Sequence, residues 1–229
     1  MAQDRTKLAM NDIEGKRGER RADILRAARQ LFIANGDART TMAEIARAIG
    51  VAEGTIYLYF ARKQDLVAAV AIDWFEEIAE TTAQEAQVIH DPADRLRFLI
   101  QRHLSVILDN RELYLTFIRE VRASETYGTS AGRRVNRRYT GLLRDVLQQA
   151  ADSGLIIDDL GANTMRDLVY GGVEHVAWSA IVRGDGAALD KAELSKSIAA
   201  MFVRGFGLQP ASSADHEARL RRIEGKLGL

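Results

Sequence analysis

Apolar residues recur three and four positions apart along most of the chain, and this spacing places them on one face of an α-helix. The chain has only two prolines, Pro92 and Pro210, and both fall between these periodic segments. Glycines such as Gly36, Gly154 and Gly161 stand at the breaks, and no useful stretch alternates apolar and polar residues as a strand would. The sequence therefore predicts an all-α protein.

The composition excludes several kinds of protein and site. Without cysteine there is no disulfide framework, no thiolate zinc site, no iron-sulfur cluster and no cysteine nucleophile. No window approaches the roughly 18 consecutive apolar residues of a membrane span, and residues 1–21 lack the apolar core of a signal peptide. The 32 basic and 32 acidic side chains balance, so global charge gives no argument for nucleic acid. We expect a cytoplasmic chain with no membrane partner.

Residues 41–63 carry the most specific signal, with the sequence TMAEIARAIGVAEGTIYLYFARK. Thr41 and Glu44 are spaced as a capping box, in which each side chain bonds the other's backbone amide at a helix start. Gly50 can adopt the left-handed backbone of a tight turn, and Ile56 would seat a second short helix on the first. The segment therefore predicts a helix-turn-helix with one face of its second helix open to solvent.

Hydroxyl groups mark that open face. The phenols of Tyr57 and Tyr59 suit phosphate oxygens, and Lys63 adds a positive charge at the start of the next helix. These residue types favour contact with a nucleic-acid backbone. The alternative is that both tyrosines pack at a domain junction.

This segment resembles the DNA-binding domain of the TetR family of one-component transcriptional repressors, from about residue 20 to residue 66. The residues that carry the resemblance are Thr41, Ile45, Ala46, Gly50, Val51, Gly54, Thr55, Tyr57, Tyr59, Phe60, Lys63 and Leu66. One departure is Ala52, where the family usually has a serine N-cap, and a weaker cap costs about 1 kcal/mol.

The resemblance implies that the second helix enters the major groove of DNA, with Thr55 near the bases. Glu53 and Leu58 stand at variable positions, where a carboxylate can accept from cytosine and an apolar group can touch a thymine methyl. The DNA-contacting residues predicted in this way are Thr41, Glu53, Gly54, Thr55, Tyr57, Leu58, Tyr59 and Lys63.

The last two helices indicate a homodimer. The helix over 163–183 is apolar nearly all round, so it must be covered on several sides, and Gly171 with Gly172 would let another helix approach closely. The helix over 191–208 has one apolar stripe. Family repressors pair two modules on one operator, so the resemblance implies a dimer through these helices. The alternative is two ordinary core helices of a monomer.

Aromatic and polar residues embedded in the apolar stripes of the middle helices describe a small-molecule cavity, and they equally describe an ordinary core. They are Trp74, His103, Phe117, Tyr139, Tyr170, Glu174, His175 and Trp178. The string YGGVEHVAW at 170–178 resembles the equivalent helix of TetR-type regulators of fatty-acid metabolism, which bind acyl-CoA thioesters. Arginines at 133, 134, 137 and 138 can meet coenzyme A phosphates or form a solvated basic face. The effector is expected to be an acyl-CoA or another hydrophobic ligand.

A helical metal- or cofactor-dependent enzyme is the rival class, and a DNA-binding protein without an effector is a third. A di-iron bundle uses Glu-x-x-His pairs, and none of the four histidines has Glu three residues before it. The sequence also lacks His-Glu-x-x-His, a glycine-rich phosphate loop and a Gly-x-Ser-x-Gly elbow. We therefore predict a non-enzyme without catalytic residues, metal ligands or cofactor.

These observations together predict a sequence-specific regulator that a small-molecule effector releases from a palindromic operator. A flexible arm over 1–16 precedes a three-helix DNA-binding domain over 17–63. A helical domain over 64–208 serves regulation, effector binding and dimerisation, and a tail over 209–229 follows.

Overall fold

The computed structural model describes residues 2–156, 160–184 and 190–205, and side chains from residue 15 onward except those of residues 191 and 203. The described residues are mostly helical and include no strand, which confirms the all-α prediction. The α-helices are α1 (Ala2–Asn35), α2 (Met42–Ala48), α3 (Glu53–Tyr57), α4 (Lys63–Gln87), α5 (Pro92–Asp109), α6 (Arg111–Thr116), α7 (Ala131–Asp152), α8 (Gly161–Arg183) and α9 (Lys191–Gly205). A π-helical segment, Phe117–Arg122, continues α6, and a 3₁₀ turn, Tyr127–Thr129, precedes α7.

The sequence predicted a flexible arm at the N-terminus and a tail at the C-terminus. Helix α1 begins at Ala2, so the structure extends the first helix over residues for which the sequence predicted a flexible arm. The arm is rich in Ala, Arg, Lys, Leu and Met, which have high helix propensity, and it contains no proline. It has no apolar stripe, and that is why periodicity alone did not reveal the helix. The tail predicted over 209–229 lies outside the described residues.

The first compact unit comprises the residues up to 76 together with 112–133. Ile24, Ile45 and Ile56, one from each of α1, α2 and α3, are all 0% exposed in its core. Full burial of such a side chain stabilises a fold by roughly 1.5 to 3 kcal/mol. The three isoleucines therefore hold the first three helices together.

The connection between α2 and α3 follows from local sequence chemistry. The Thr41 hydroxyl accepts a hydrogen bond from the Glu44 amide at 3.2 Å, and the Thr41 amide donates to Glu44 Oε2 at 2.8 Å. This is the predicted capping box. Gly50 has a φ of 69°, a conformation that glycine adopts without steric cost. Ala52 precedes α3 without a side-chain cap, as the departure from the family pattern led us to expect.

The second compact unit comprises residues 77–111 and the described residues from 134 onward. Helix α5 packs against α8 and α9 within it. Fully buried leucines at 96, 99, 143 and 147, together with Val169 and Val173, form much of the core. No helix in the described part of the chain combines the length and apolarity needed to cross a membrane.

Candidate functional site

One side of helix α3 is buried within the first unit, and the other side is exposed to solvent. Ile56 is 0% exposed, whereas the next two side chains, Tyr57 and Leu58, are 47% and 76% exposed. Glu53 and Gly54 are also exposed. A short helix held by one buried residue therefore presents a continuous surface to solvent.

The other predicted DNA-contacting tyrosine is less open. Tyr59 is only partly exposed, and the guanidinium carbon of Arg17 lies 6.0 Å from the centre of its ring. The guanidinium of Arg21 lies 5.3 Å from the ring of Phe60 in the same way. Both arginines are exposed and come from α1. Arg17 therefore places positive charge beside Tyr59, and Arg21 places it beside Phe60. No motif identified either arginine, because a contact between helices far apart in the chain leaves no local sequence pattern.

Thr41 is exposed, but its hydroxyl is already engaged. Besides accepting from the Glu44 amide, the Thr41 hydroxyl donates to Glu44 Oε2 at 2.9 Å. The Thr41 backbone amide and then its hydroxyl lower the pKa of the Glu44 carboxyl, because both donate to the ionised form. A contact between Thr41 and a phosphate would have to share this hydroxyl with the capping box.

Lys63 is likewise engaged within the first unit. Its Nζ donates to the carbonyl oxygen of Ala38 at 3.1 Å, across the turn between α1 and α2. Arg119 Nη2 lies 2.6 Å from Asp37 Oδ2 in the same turn. These bonds hold the turn that leads into α2, so Lys63 has a structural role beside any contact with DNA.

The residues predicted to form an effector pocket fall in different parts of the chain. Trp74 and Phe117 belong to the first unit, where the ring of Phe75 lies 5.8 Å from Trp74 and 4.4 Å from Phe117. Trp74 Nε1 is buried and has no hydrogen-bond partner among the described residues. The remaining predicted residues belong to the second unit.

His103, Tyr139, Tyr170 and Glu174 come together in the second unit, and we call them the buried aromatic cluster. His103 Nδ1 lies 3.2 Å from the Tyr139 hydroxyl, and His103 Nε2 lies 3.7 Å from Glu174 Oε1. The ring of Tyr170 lies 4.3 Å from that of His103 and stacks on Tyr139 at 5.8 Å. Side chains from α5, α7 and α8 thus converge on one polar centre, in which the two tyrosines and His103 are buried and Glu174 is partly exposed.

Burial sets the protonation state of the two phenols. It raises the pKa of Tyr139, and it raises the pKa of Tyr170 well above its ordinary value, with the neighbouring Tyr139 adding to the shift. Both hydroxyls therefore keep their protons at physiological pH and act as donors. The Tyr170 hydroxyl has no partner among the described residues.

His175 and Trp178, which the sequence analysis grouped with these residues, do not join this cluster. His175 is exposed and Trp178 is 51% exposed. Successive residues of a helix point about 100° apart, so when Glu174 faces His103, His175 faces outward. Because α8 is apolar on nearly every side, its sequence did not reveal which face was buried.

A cavity of about 570 Å³, which we call the alanine groove, opens on the second unit and was not predicted. Ala79, Ala83 and Ala86 of α4 line it, facing Leu142 and Val146 of α7. Charged and amide side chains complete its lining: Glu80, Gln84, Gln87, Arg95, Arg138 and Asp145. A sequence gives the side chains and not the space left between them. The recurrence of small residues at 79, 83 and 86 is the one sequence signal that could have indicated this groove.

Comparison with known proteins gives this arrangement a family context. Residues 24–70 match the bacterial regulatory proteins of the tetR family, and residues 90–206 match the tetracyclin repressor-like C-terminal domain. The fatty acid metabolism regulator protein of Bacillus subtilis is 24% identical over 182 residues, which are 80% of this chain and 93% of that protein.

Two solved structures have a similar fold. The transcriptional regulator FadR from Bacillus subtilis, in complex with stearoyl-CoA, has a TM-score of 0.66 and 23% identity, over 82% of this chain and 99% of that one. AibR, in complex with isovaleryl coenzyme A and operator DNA, has a TM-score of 0.60 and 21% identity, over 83% of this chain and all of its own. At such identities the likeness concerns the fold.

Proposed function

The chain belongs to the TetR family of bacterial regulatory proteins, and from this premise we propose that it is a repressor that binds operator DNA through α3. The exposure of α3 carries the proposal. Because Ile56 is 0% exposed while Leu58 is 76% exposed, the helix is fixed in position and its outer face is free to enter a major groove. In this proposal Tyr57 holds a phosphate, and Thr55, Glu53 and Leu58 face the bases.

We propose further contacts around α3. Gly54 leaves space for close approach to the DNA, and Tyr59 with Arg17 contacts the sugar-phosphate backbone. Thr41 and Lys63 also contact the DNA backbone, but each must share its donor group with the hydrogen bond that it makes to Glu44 or to Ala38. We propose that the DNA-binding domain also includes residues before 17, since α1 runs continuously through that point.

The proposed active form is a homodimer paired through α8 and α9. Leu168, Trp178 and Val182 of α8 are 51%, 51% and 66% exposed and lie along one outward stripe, and Met201 of α9 is 55% exposed. A Cβ added at Gly171 of this stripe would meet nothing within 4 Å, so a second helix has room to approach there. An exposed apolar face of this kind suits an isologous dimer, in which the same surface of both protomers meets.

For the effector we propose an acyl thioester of coenzyme A, bound in the second unit. The relatives support this class, since FadR is described with stearoyl-CoA and AibR with isovaleryl coenzyme A. An effector releases DNA only if it binds the non-operator conformation more tightly, and such coupling is typically about 1 to 3 kcal/mol. Helix α4 contributes residues to both units, and we propose that ligand binding shifts this helix.

A binding titration tests the proposal. A labelled duplex, recovered from a random-sequence pool with the purified chain, is titrated with protein at several salt concentrations and then with stearoyl-CoA. We expect salt-sensitive binding by two protomers and release of the duplex by the ligand. An Ala83→Trp variant, which fills the alanine groove, reports whether the ligand uses that space.

Two other outcomes separate the rival functions. Tight binding that no acyl-CoA alters would identify a DNA-binding protein of this fold without such an effector. Stoichiometric bound metal without salt-sensitive DNA affinity would favour the enzyme. Among the described residues, no three His, Asp or Glu side chains are grouped so that they could hold a metal ion.

A further inference from the structure

The hydroxyl of Tyr170 is a buried donor within the buried aromatic cluster. Tyr170 is 5% exposed, and its hydroxyl has no hydrogen-bond partner among the described residues. Buried polar groups in folded proteins are nearly always hydrogen-bonded, because an unpaired one loses its hydration without compensation. An unpaired donor in the unit that we propose to bind the effector therefore calls for a partner.

The neighbouring polar atoms already form a chain of their own. With the His103 proton on Nε2, the Tyr139 hydroxyl donates to Nδ1 at 3.2 Å, and Nε2 carries its proton toward Glu174 Oε1 at 3.7 Å. The Tyr139 hydroxyl thus has its partner in His103 Nδ1, whereas the separation between His103 Nε2 and Glu174 Oε1 is longer than a hydrogen bond. The rings of His103 and Tyr139 meanwhile cover the ring of Tyr170. The cluster thus positions Tyr170 firmly and leaves its O–H to another acceptor.

We infer that the Tyr170 hydroxyl donates a hydrogen bond to the thioester carbonyl oxygen of the bound acyl-CoA, an inference that rests on the proposed function. An acyl chain is apolar, so its carbonyl is the acceptor that accompanies it into an apolar core. Because burial raises the pKa of Tyr170 well above its ordinary value, the phenol keeps its proton at physiological pH and can donate it in a hydrogen bond to the carbonyl.

The same bond explains how a ligand can change the protein's conformation. The Tyr170 hydroxyl is closed off from solvent, so a ligand reaches it only if α8 moves relative to α5 or α7. The hydrogen bond then exists in the liganded arrangement and not in the closed one. A contact made in only one conformation is what shifts a two-state equilibrium toward that conformation.

Two ligands that differ only at the carbonyl test this inference. Stearoyl-CoA contains the thioester, and S-octadecyl-CoA, its thioether, has a methylene in place of the carbonyl. The measured quantity is the concentration of each that releases half of the bound duplex from the full-length protein. For the unmodified protein we expect the thioester to act at a roughly 5- to 100-fold lower concentration, the effect of one buried hydrogen bond.

Matched phenylalanine variants locate the effect. Tyr170→Phe should abolish the preference for the thioester, leave the thioether response unchanged and preserve or raise the urea midpoint, since the lost hydroxyl had no partner in the closed form. Tyr139→Phe removes a hydroxyl that is bonded to His103, so it should lower the midpoint and retain the preference.

Equal responses of the unmodified protein to both compounds would overturn the inference and leave acyl-CoA release standing. A Tyr170→Phe protein that retains the preference would do the same. DNA binding that neither compound reverses would instead overturn the proposed effector class, and the role of Tyr170 with it. The comparison of compounds on the unmodified protein decides the matter even where a variant fails to fold.

Discussion

Replacing Tyr57 by phenylalanine removes one hydroxyl from the exposed face of α3 and keeps the ring. Tyr57 is 47% exposed, so we expect the free energy of unfolding to change by no more than about 0.5 kcal/mol, as for other surface substitutions. The effect should fall on DNA binding, where the hydroxyl is proposed to donate to a phosphate oxygen.

The expected loss of DNA-binding free energy is doubled in the proposed dimer. A hydrogen bond contributes about 1 kcal/mol net, and one to a charged group somewhat more. Two protomers each lose one such bond on the same operator, so the binding free energy should weaken by about 2 kcal/mol. At about 1.4 kcal/mol per tenfold change, the dissociation constant should rise roughly 30-fold.

Fluorescence anisotropy with a labelled operator duplex measures the change in the dissociation constant. The titration is repeated over a range of salt concentrations. Because the substitution removes no positive charge, Tyr57→Phe should leave the slope of log affinity against log salt unchanged. Arg17→Ala should reduce that slope, since each protomer loses a positive charge beside Tyr59. Unchanged affinity of a folded Tyr57→Phe dimer would refute the phosphate contact, and a parallel loss of stability would show a packing role instead.

Three further results are expected. Ile56→Ala removes a side chain that is 0% exposed and should lower the free energy of unfolding by about 2 to 5 kcal/mol in a denaturant titration. Trp178→Ala should shift the protein toward monomers in sedimentation equilibrium, whereas Ile33→Ala, which changes an exposed side chain of α1, should not. Because Thr41 holds the pKa of Glu44 below its ordinary value of 4.5, the stabilisation from this carboxylate is complete above that pH. It is lost as the pH falls through the lowered pKa, so Glu44→Gln should flatten the loss of stability on acidification, measured by urea midpoints; an equally steep loss would contradict this.

The helix order was predictable because the chain marks many helix ends by local chemistry. Thr41 with Glu44 begins α2, and α5 begins at Pro92, with the Asp91 side chain accepting from the Asp94 amide. Such signals need only a few consecutive residues. The N-terminal part of α1 has no apolar stripe, so periodicity could not distinguish it from a flexible arm.

The parts of the site that depend on tertiary packing were less predictable. An apolar face shows where a helix is buried, but α8 is apolar nearly all round, so the sequence placed Glu174, His175 and Trp178 in one pocket. The structure turns Glu174 toward His103 and the other two outward. The contact of Arg17 with Tyr59 joins residues far apart in the chain, and no local pattern encodes it.

The most direct test of this account is to sequence the DNA that the protein selects from a random duplex pool, for the native chain and for Leu58→Ala. The account predicts a palindrome whose half-sites suit two copies of α3 about 34 Å apart or a multiple of that distance. It also predicts that the variant alters the preferred base at symmetric positions of both half-sites. A pool without an enriched palindrome, or an enriched site that Leu58→Ala leaves unchanged, would contradict it.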